Sequence, residues 1–147
     1  MTITMKSRYA VRALIELAKQ ESLAPGRPTQ LALIAQRRDI PLQFLEQLLA
    51  SLRRAGVVCS RRGARGGYLF ARPPHTVSVL EVVAVLDGPI VTADCVREQC
   101  ARRPACGAAT VWDDLQRAVE EVLGGTTIGE LAERELQAAE RCETYSI

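Results

Sequence analysis

The chain has 147 residues, of which 48% are apolar and 24% charged, an ordinary composition for a globular protein. This length fits one domain, or a small domain with an appendage, and needs no disulfide for stability. No apolar run approaches the roughly 20 residues that span a bilayer, and residues 1–20 lack the apolar core of a signal peptide. We therefore expect a cytoplasmic protein rather than a membrane or secreted one.

Charge divides the chain into two unequal halves. Residues 1–75 hold 13 Lys/Arg against four Asp/Glu, a net charge of +9, whereas residues 76–147 hold six against 13, a net charge of −7. This asymmetry indicates that the first half meets a polyanion and the second does not. The alternative is two halves with unequally charged solvated faces.

Apolar spacing predicts three helices in the basic half. The first covers about residues 7–20. The second covers residues 31–38, with Thr29 as its N-cap, and the third runs to Ala55 with Pro41 in its first turn. A short helix, a tight turn and a longer helix are typical of a helix-turn-helix.

The third helix has two chemically different faces. One carries the predicted core stripe of Leu42, Leu45, Leu49 and Leu52. The other presents Gln43, Glu46 and Gln47. Glutamine can bond adenine edges and glutamate can accept from cytosine, so these three are candidate DNA-binding residues. Alternatively they form a plain solvated face.

A glycine-rich basic segment follows this helix. Residues 57–60 and 68–70 predict two short strands, and between them lies the tip Arg61-Arg-Gly-Ala-Arg-Gly-Gly67. This pattern predicts a β-hairpin wing whose Arg62 and Arg65 enter a minor groove or pair with phosphate. A nucleotide-phosphate cradle is disfavoured because the run is not G-x-G-x-x-G and no P-loop lysine follows. We expect residues 1–75 to form a winged helix-turn-helix domain, in which Cys59 is a strand hydrophobe and His75 an exposed linker residue.

The acidic half is predicted to be helical, and residues 76–147 to carry an effector loop and dimerisation helices. Capping boxes at Ser78/Glu81 and Thr127/Glu130 open helices over residues 79–87 and 128–139. Between them, a long helix over residues 108–123 carries an apolar stripe of Val111, Leu115, Ala118 and Val122. Such a stripe needs a partner, either the same helix of a second subunit, which matches a palindromic duplex, or another part of the monomer. The predicted fold is thus mainly α with a small β-hairpin (α+β).

Three of the five cysteines, Cys95, Cys100 and Cys106, fall within twelve residues. Pro104 and Gly107 mark this stretch as loop rather than helix, which lets three thiolates converge. Three soft ligands in a short loop suit an iron–sulfur cluster or zinc. The alternative is a chance cluster of small hydrophobic residues.

With these pieces placed, nearly the whole chain resembles the Rrf-two family of winged-helix regulators, typified by IscR, NsrR and RirA. The resemblance rests on Ser7-Arg-Tyr-Ala-Val11, Phe44-Leu-Glu-Gln47, Arg62-Gly-Ala-Arg-Gly-Gly-Tyr68, the three cysteines and Trp112. It implies a homodimeric transcription regulator, a repressor or an activator, with an iron–sulfur cluster on Cys95, Cys100 and Cys106. It further implies that Glu46, Gln47 and Arg62 contact DNA.

The chain departs from the family pattern in ways that leave the cluster incompletely specified. The first cysteine gap is short, Ala109 stands where IscR-like members have histidine, and Arg8 stands where NsrR-like members have an acid. The fourth ligand is therefore open among Cys142, Asp94, Glu98, His75, water or a small thiol, and both 2Fe–2S and 4Fe–4S clusters remain open. A cluster-free thiol or zinc regulator is the alternative. An enzyme is not expected, because there is no C-x-x-C, the only histidine lies in a proline-flanked linker and no paired carboxylates suggest acid–base chemistry.

Overall fold

The computed structural model describes residues 2–98 and 100–144. Its helices and strands, in chain order, are α1 Met5–Leu23, α2 Leu31–Arg38, α3 Leu42–Arg54, β1 Val58–Arg61, β2 Gly67–Phe70, α4 Val79–Asp87, α5 Asp94–Arg97, α6 Ala109–Gly125 and α7 Ile128–Thr144. The predicted class, mainly helical with one antiparallel hairpin, is confirmed. None of these described helices is long and apolar enough to cross a membrane.

The first three helices enclose a core of leucine and alanine. Leu14 of α1 and Leu45, Leu49 and Leu52 of α3 are fully buried. Leu42, predicted to join them, is instead 49% exposed, and Leu48 is buried. At 3.6 residues per turn, Leu42 lies about 70° from the centre of the buried stripe, which places it at the edge of the core.

The wing is a two-stranded hairpin with a third segment attached. Val58 pairs with Phe70 and Arg61 with Gly67. The Thr29 N–H donates to the Tyr68 carbonyl at 2.9 Å, and the Tyr68 N–H donates back to Thr29 at 2.8 Å. The prediction of Thr29 as an N-cap was wrong, since Gln30 occupies that position without a side-chain cap. Buried Thr29 lies one residue too early and pairs with the hairpin instead.

Gly67 makes this pairing possible. Its φ of 153° lies outside the range that side chains favour, and a Cβ there would overlap the Thr29 carbonyl. The segment before α2 and the returning strand can therefore approach each other only with glycine at this position.

The last helix closes the core against the first. The predicted capping box at Thr127/Glu130 is present, because each residue accepts a hydrogen bond from the other's backbone N–H. At Ser78 only the N-cap half forms: the Glu81 N–H donates to Ser78 Oγ at 3.2 Å, but the Glu81 carboxylate binds Arg72 instead. Ile128 and Ala132 of α7 then join the buried cluster of the basic half. The predicted end at residue 139 was wrong, because α7 reaches Thr144 and includes Cys142. Glu140, Arg141 and Glu143 in this last turn are good helix formers.

Between α4 and α7 the packing is different. No described residue from 88 to 127 is buried. The helix α6 also continues through Gly124 and Gly125, where the sequence predicted a stop; a helical glycine costs only about 1 kcal/mol, which this length tolerates. The division at residue 75 into two domains stays a prediction.

Candidate nucleic-acid interface and cysteine loop

The polar face of α3 is open to solvent. Gln43, Glu46 and Gln47 are all exposed, because the leucines at intervening positions turn the opposite face into the core. The end of the helix is tied to the hairpin, where Arg53 Nη1 donates to Ser60 Oγ at 3.1 Å. The three predicted side chains are therefore presented by a helix that is fixed on both its buried face and its C-terminal end.

The two predicted wing arginines lie beyond β1, on the hairpin tip. Arg62 and Arg65 are exposed, and neither forms an ion pair within the described part of the chain. Arg62 and Arg65 line one surface cavity of about 1030 Å³. The tip thus offers uncompensated guanidinium groups directly after the exposed polar helix.

Arg27 joins this cavity from a different part of the sequence. It lies between Gly26 and Pro28 in the connection from α1 to α2, a place with no motif around it. Only the long-range pairing of Thr29 with Tyr68 brings it beside the hairpin. No local signal in the sequence could have identified it.

The cysteine loop, residues 88–108, is more structured than predicted. Cys95 lies in the one-turn helix α5, and a 3₁₀ turn, Arg103–Ala105, precedes Cys106. The prediction that this stretch contains no helix was therefore wrong at Cys95 and at residues 103–105. Each of these helical segments is only about one turn long. Cys95 and Cys100 are half-buried and Cys106 is exposed.

Two side chains hold this loop against α6. The Gln116 amide accepts from the Thr92 N–H at 2.9 Å and donates to the Ile90 carbonyl at 2.9 Å. Arg103 donates to the Cys95 carbonyl at 2.8 Å and to both oxygens of Asp113 at 2.7 Å. Any rearrangement around Cys95 is thus coupled through hydrogen bonds to the long helix.

The chemistry of the three cysteines favours a metal site, whereas their positions in the described structure do not form one. Three thiols in one short loop suit an iron–sulfur cluster or zinc by their chemistry. Among the described residues, however, no group of three or more His, Cys, Asp or Glu side chains is placed to hold a metal ion. No described cysteine forms a disulfide. Among the candidate fourth ligands, His75 instead pairs with Glu133 of α7, Nε2 to Oε1 at 3.1 Å.

The helix α6 exposes most of its predicted apolar stripe. Leu115 is 42% exposed and Val122 is 66% exposed, and Val111 and Trp112 are also open. Ala118 and Val122 line a wholly apolar cavity of about 300 Å³ with Ile3 from the N-terminus. No residue of α6 is buried, so within the described monomer this face has no covering element.

A carboxylate links the root of the cysteine loop to the start of α1. Asp87 ends α4 and accepts hydrogen bonds from the Thr4 N–H at 2.9 Å and from the Thr4 and Ser7 hydroxyls at 2.6 Å. Burial alone would raise the pKa of Asp87, but these hydrogen bonds lower it below its ordinary value. The loop therefore begins from a point fixed to the helix-turn-helix.

A second ionic group links α7 to the helix-turn-helix. Glu16, 3% exposed, binds Arg37 at 3.0 Å and Arg38 at 2.9 Å, and Arg38 also binds Glu135 of α7 at 2.7 Å. Burial would raise the pKa of Glu16, but hydrogen bonds from Gln20 and Arg37 and the charges of Arg38 and Lys19 lower it. The acidic half is thus attached to α2 by compensated charge.

Known proteins share this sequence and this fold. Residues 3–134 match the family described as "Rrf2: Iron-dependent Transcriptional regulator". The HTH-type transcriptional regulator CymR of Bacillus subtilis is 38% identical over 133 residues, 90% of each chain. The HTH-type transcriptional regulator IscR of Vibrio campbellii is 36% identical over 132 residues, 89% of this chain and 77% of that one.

A solved structure agrees with this match. The structure of CymR, described as the global cysteine regulator of B. subtilis, superposes with a TM-score of 0.77 at 36% identity, covering 91% of this chain and 98% of that chain. These relatives are named as regulators, not enzymes, as the sequence predicted. The chain belongs to the Rrf2 family of transcriptional regulators.

Proposed function

We propose that this chain is a cytoplasmic, homodimeric, DNA-binding regulator whose cysteine loop senses a cofactor or redox signal. The observation that carries the proposal is the exposed polar face of α3 followed directly by uncompensated arginines on the wing. A helix of this size fits the major groove, and a basic hairpin fits the adjacent minor groove. The family match supports the same function.

Each predicted DNA-binding residue has a distinct role in this proposal. Gln43 and Gln47 hydrogen-bond adenine edges, and Glu46 accepts from cytosine N4. Arg62 and Arg65 contribute to affinity through the minor groove or phosphates, and thus fix the register of α3. Sequence is read by the helix, whereas the wing supplies most of the charge.

The exposed stripe on α6 supports a symmetric dimer. A second copy of the same helix would cover Leu115 and Val122 of both chains with one two-fold contact. Two-fold symmetry places two copies of α3 on two half-sites, so the operator is a palindromic duplex.

We further propose that Cys95, Cys100 and Cys106 hold an iron–sulfur cluster, either 2Fe–2S or 4Fe–4S. Their soft-donor chemistry and the family's description as iron-dependent support this. The loop would have to draw its thiols together, which is inexpensive because no described residue between 88 and 108 is buried. When bound, the cluster would supply a redox- and iron-sensitive centre; Gln116 and Arg103 would couple the loop's position to α6.

A cluster-free regulator is the second candidate. The described residues do not gather three metal-ligating side chains, which favours a thiol switch. A zinc site, like a cluster, would require the loop to draw its thiols together. The likeness to a protein described as a global cysteine regulator points the same way. Both candidates share the DNA-binding half and differ only in what occupies the loop.

One experiment separates the two candidates. Protein purified without oxygen is analysed for iron, sulfide, zinc and visible absorption, together with Cys100→Ala and the control Cys59→Ala, whose thiol lies on β1. A cluster predicts a coloured wild type and control and a colourless Cys100→Ala protein. Zinc in the wild type and the control but not in Cys100→Ala, or reduced thiols without metal in all three, would overturn the cluster and leave the second candidate.

The same proteins are then tested on a duplex that wild-type protein selects from a random-sequence pool. If the loop is the effector site, removing its occupant changes the affinity of wild type and Cys59→Ala for this duplex but leaves Cys100→Ala unchanged. To change the protein from about 99% DNA-bound to about 99% free, the two states of the loop must differ in their free energy of DNA binding by about 5.5 kcal/mol. Equal affinity in all forms would contradict a sensing role for the loop, and failure to select any duplex would contradict DNA binding.

A further inference from the structure

Four arginines from two separate segments surround one open cavity. Arg27 comes from the α1–α2 connection, and Arg61, Arg62 and Arg65 come from the hairpin; the cavity measures about 1030 Å³. A second cavity of about 420 Å³ shares Arg27 and Arg65 with the first and adds the amide side chains of Gln20 and Gln30. Arg27 therefore borders both cavities, together with a wing-tip arginine.

Backbone contacts hold Arg27 in this position. The neighbouring residues of its segment pair with the hairpin at two points: Thr29 exchanges two hydrogen bonds with Tyr68, and Arg61 donates to the Gly26 carbonyl at 3.4 Å. Gly67 lets the two chains approach. Residues 26–29 thus form a third segment of the wing, and Arg27 moves with the tip.

The charges around this cavity are not compensated by the protein. No acidic residue among those that the structure describes lines either cavity. In the described part of the chain, Arg27, Arg61, Arg62 and Arg65 form no ion pair with a carboxylate. Other arginines do so: Arg37, Arg38, Arg72, Arg103 and Arg117. Four exposed like charges around one open surface repel each other and create a strongly attractive field for a polyanion.

We propose that the DNA-binding wing has three segments, and that Arg27 binds a backbone phosphate of the duplex beside the contacts of Arg62 and Arg65. This inference rests on the proposed DNA-binding function. The spread of guanidinium groups over an open surface suits successive phosphates better than one small anion. A phosphate contact carries no base information, so Arg27 adds affinity and positions the wing without adding sequence preference.

The test is the salt dependence of duplex binding by the full-length protein. Neutralising one phosphate contributes about −0.9 to the slope of log affinity against log salt. Arg27→Ala should therefore bind more weakly with a slope shallower by about 0.9. The ratio of wild-type affinity to Arg27→Ala affinity should therefore fall by about 3.5-fold between 50 and 200 mM salt. The loss should be equal for the selected duplex and for a scrambled duplex, whereas Arg27→Lys should keep the wild-type slope.

Controls separate the possible failures. Arg141→Ala, an exposed arginine near the end of α7, should leave affinity and slope unchanged, and circular dichroism should show Arg27→Ala folded. A wild-type slope in Arg27→Ala, or a loss confined to the selected duplex, would overturn the role of Arg27 while DNA binding by the family fold stands. A wild-type protein that binds no duplex, or binds one without salt dependence, would overturn the proposed function itself.

Discussion

Residues 2–75 and residues 88–127 are built on opposite principles. The first region buries a contiguous set of leucine, isoleucine and valine side chains between α1, α2, α3 and the hairpin. The second holds three cysteines and an amphipathic helix, and none of its described residues is buried. The comparison teaches that one region is held by a buried core, to which Ile128 and Ala132 of α7 also contribute, whereas the other exposes its surfaces. We propose that a second copy covers α6 and that an effector acts at the cysteines.

The two regions are nevertheless mechanically connected. Asp87 fixes the start of the cysteine loop to Thr4 and Ser7 of the basic half. Arg38 and Glu135 fix α7 to α2. Hydrogen bonds at Asp87 and an ion pair in α7 thus attach the elements on both sides of the exposed region to the helices of the basic half.

The largest expected effect lies in the buried region. Leu45 is fully buried on α3, so Leu45→Ala should lower the free energy of unfolding by about 2–5 kcal/mol through lost burial and a residual cavity. Leu42→Ala, on the same helix but 49% exposed, is the matched control and should change it by under about 1 kcal/mol. Urea denaturation measures both. Equal losses would mean that α3 is not packed as described.

The next effect concerns the exposed region and its partner. In a two-fold dimer, Leu115→Ala removes apolar burial from both subunits, about 3 kcal/mol in total, which weakens dimerisation roughly 100-fold. Leu23→Ala, another exposed leucine outside the α6 stripe, should leave the dimer unchanged. Sedimentation across a dilution series measures the dissociation constant. A dimer unaffected by Leu115→Ala would place the contact on another surface.

The smallest expected effect concerns the ion-pair group of Glu16, Arg38 and Glu135, which joins α1, α2 and α7. Glu16→Gln removes the negative charge that pairs with Arg37 and Arg38. It should lower the free energy of unfolding by about 2 kcal/mol at neutral pH. Because the pKa of Glu16 is lowered in the fold, its carboxylate stabilises the protein above the ordinary carboxylate range, and this is lost as pH falls below about 4. The difference in free energy of unfolding between wild type and Glu16→Gln should therefore become smaller at low pH.

Urea titrations at pH 7 and pH 3 measure this difference. Glu133→Gln, whose carboxylate is exposed and pairs with His75, is the control and should show a much smaller loss at pH 7. A Glu16→Gln penalty as large at pH 3 as at pH 7 would mean that packing, rather than the charge of Glu16, stabilises this part of the fold.

Local patterns in the chain were reliable where the physical cause is local. The bounds of α2 at Leu31–Arg38 and of α4 at Val79–Asp87 agree with the predicted ones, because spacing, caps and the glycine at residue 88 act within a few residues. The same patterns failed at Leu42 and Thr29. There, burial depends on which helix face meets α1 and which strand meets the loop, and neither is encoded nearby.

The candidate site divides in the same way. The exposed positions of Gln43, Glu46 and Gln47 follow from the leucine spacing of α3, and those of Arg62 and Arg65 follow from the glycine-rich tip. The place of Arg27 beside them depends on the Thr29–Tyr68 pairing, which joins residues 39 positions apart. The three cysteines were predictable as a donor set, but the short turns at α5 and Arg103–Ala105 were not. Nor could the sequence show that the described residues gather no three metal-ligating side chains.

The amino-acid order by itself determined the helical periods, the basic and acidic halves, the hairpin and the presence of three soft donors in one loop. These depend on interactions between near neighbours and on composition. Only the tertiary structure decided that Arg27 lies beside the hairpin, that α7 closes the core on α1, and that no described residue covers the stripe on α6. Those outcomes depend on contacts between residues far apart in the chain, whose free energy exists only once the elements have packed.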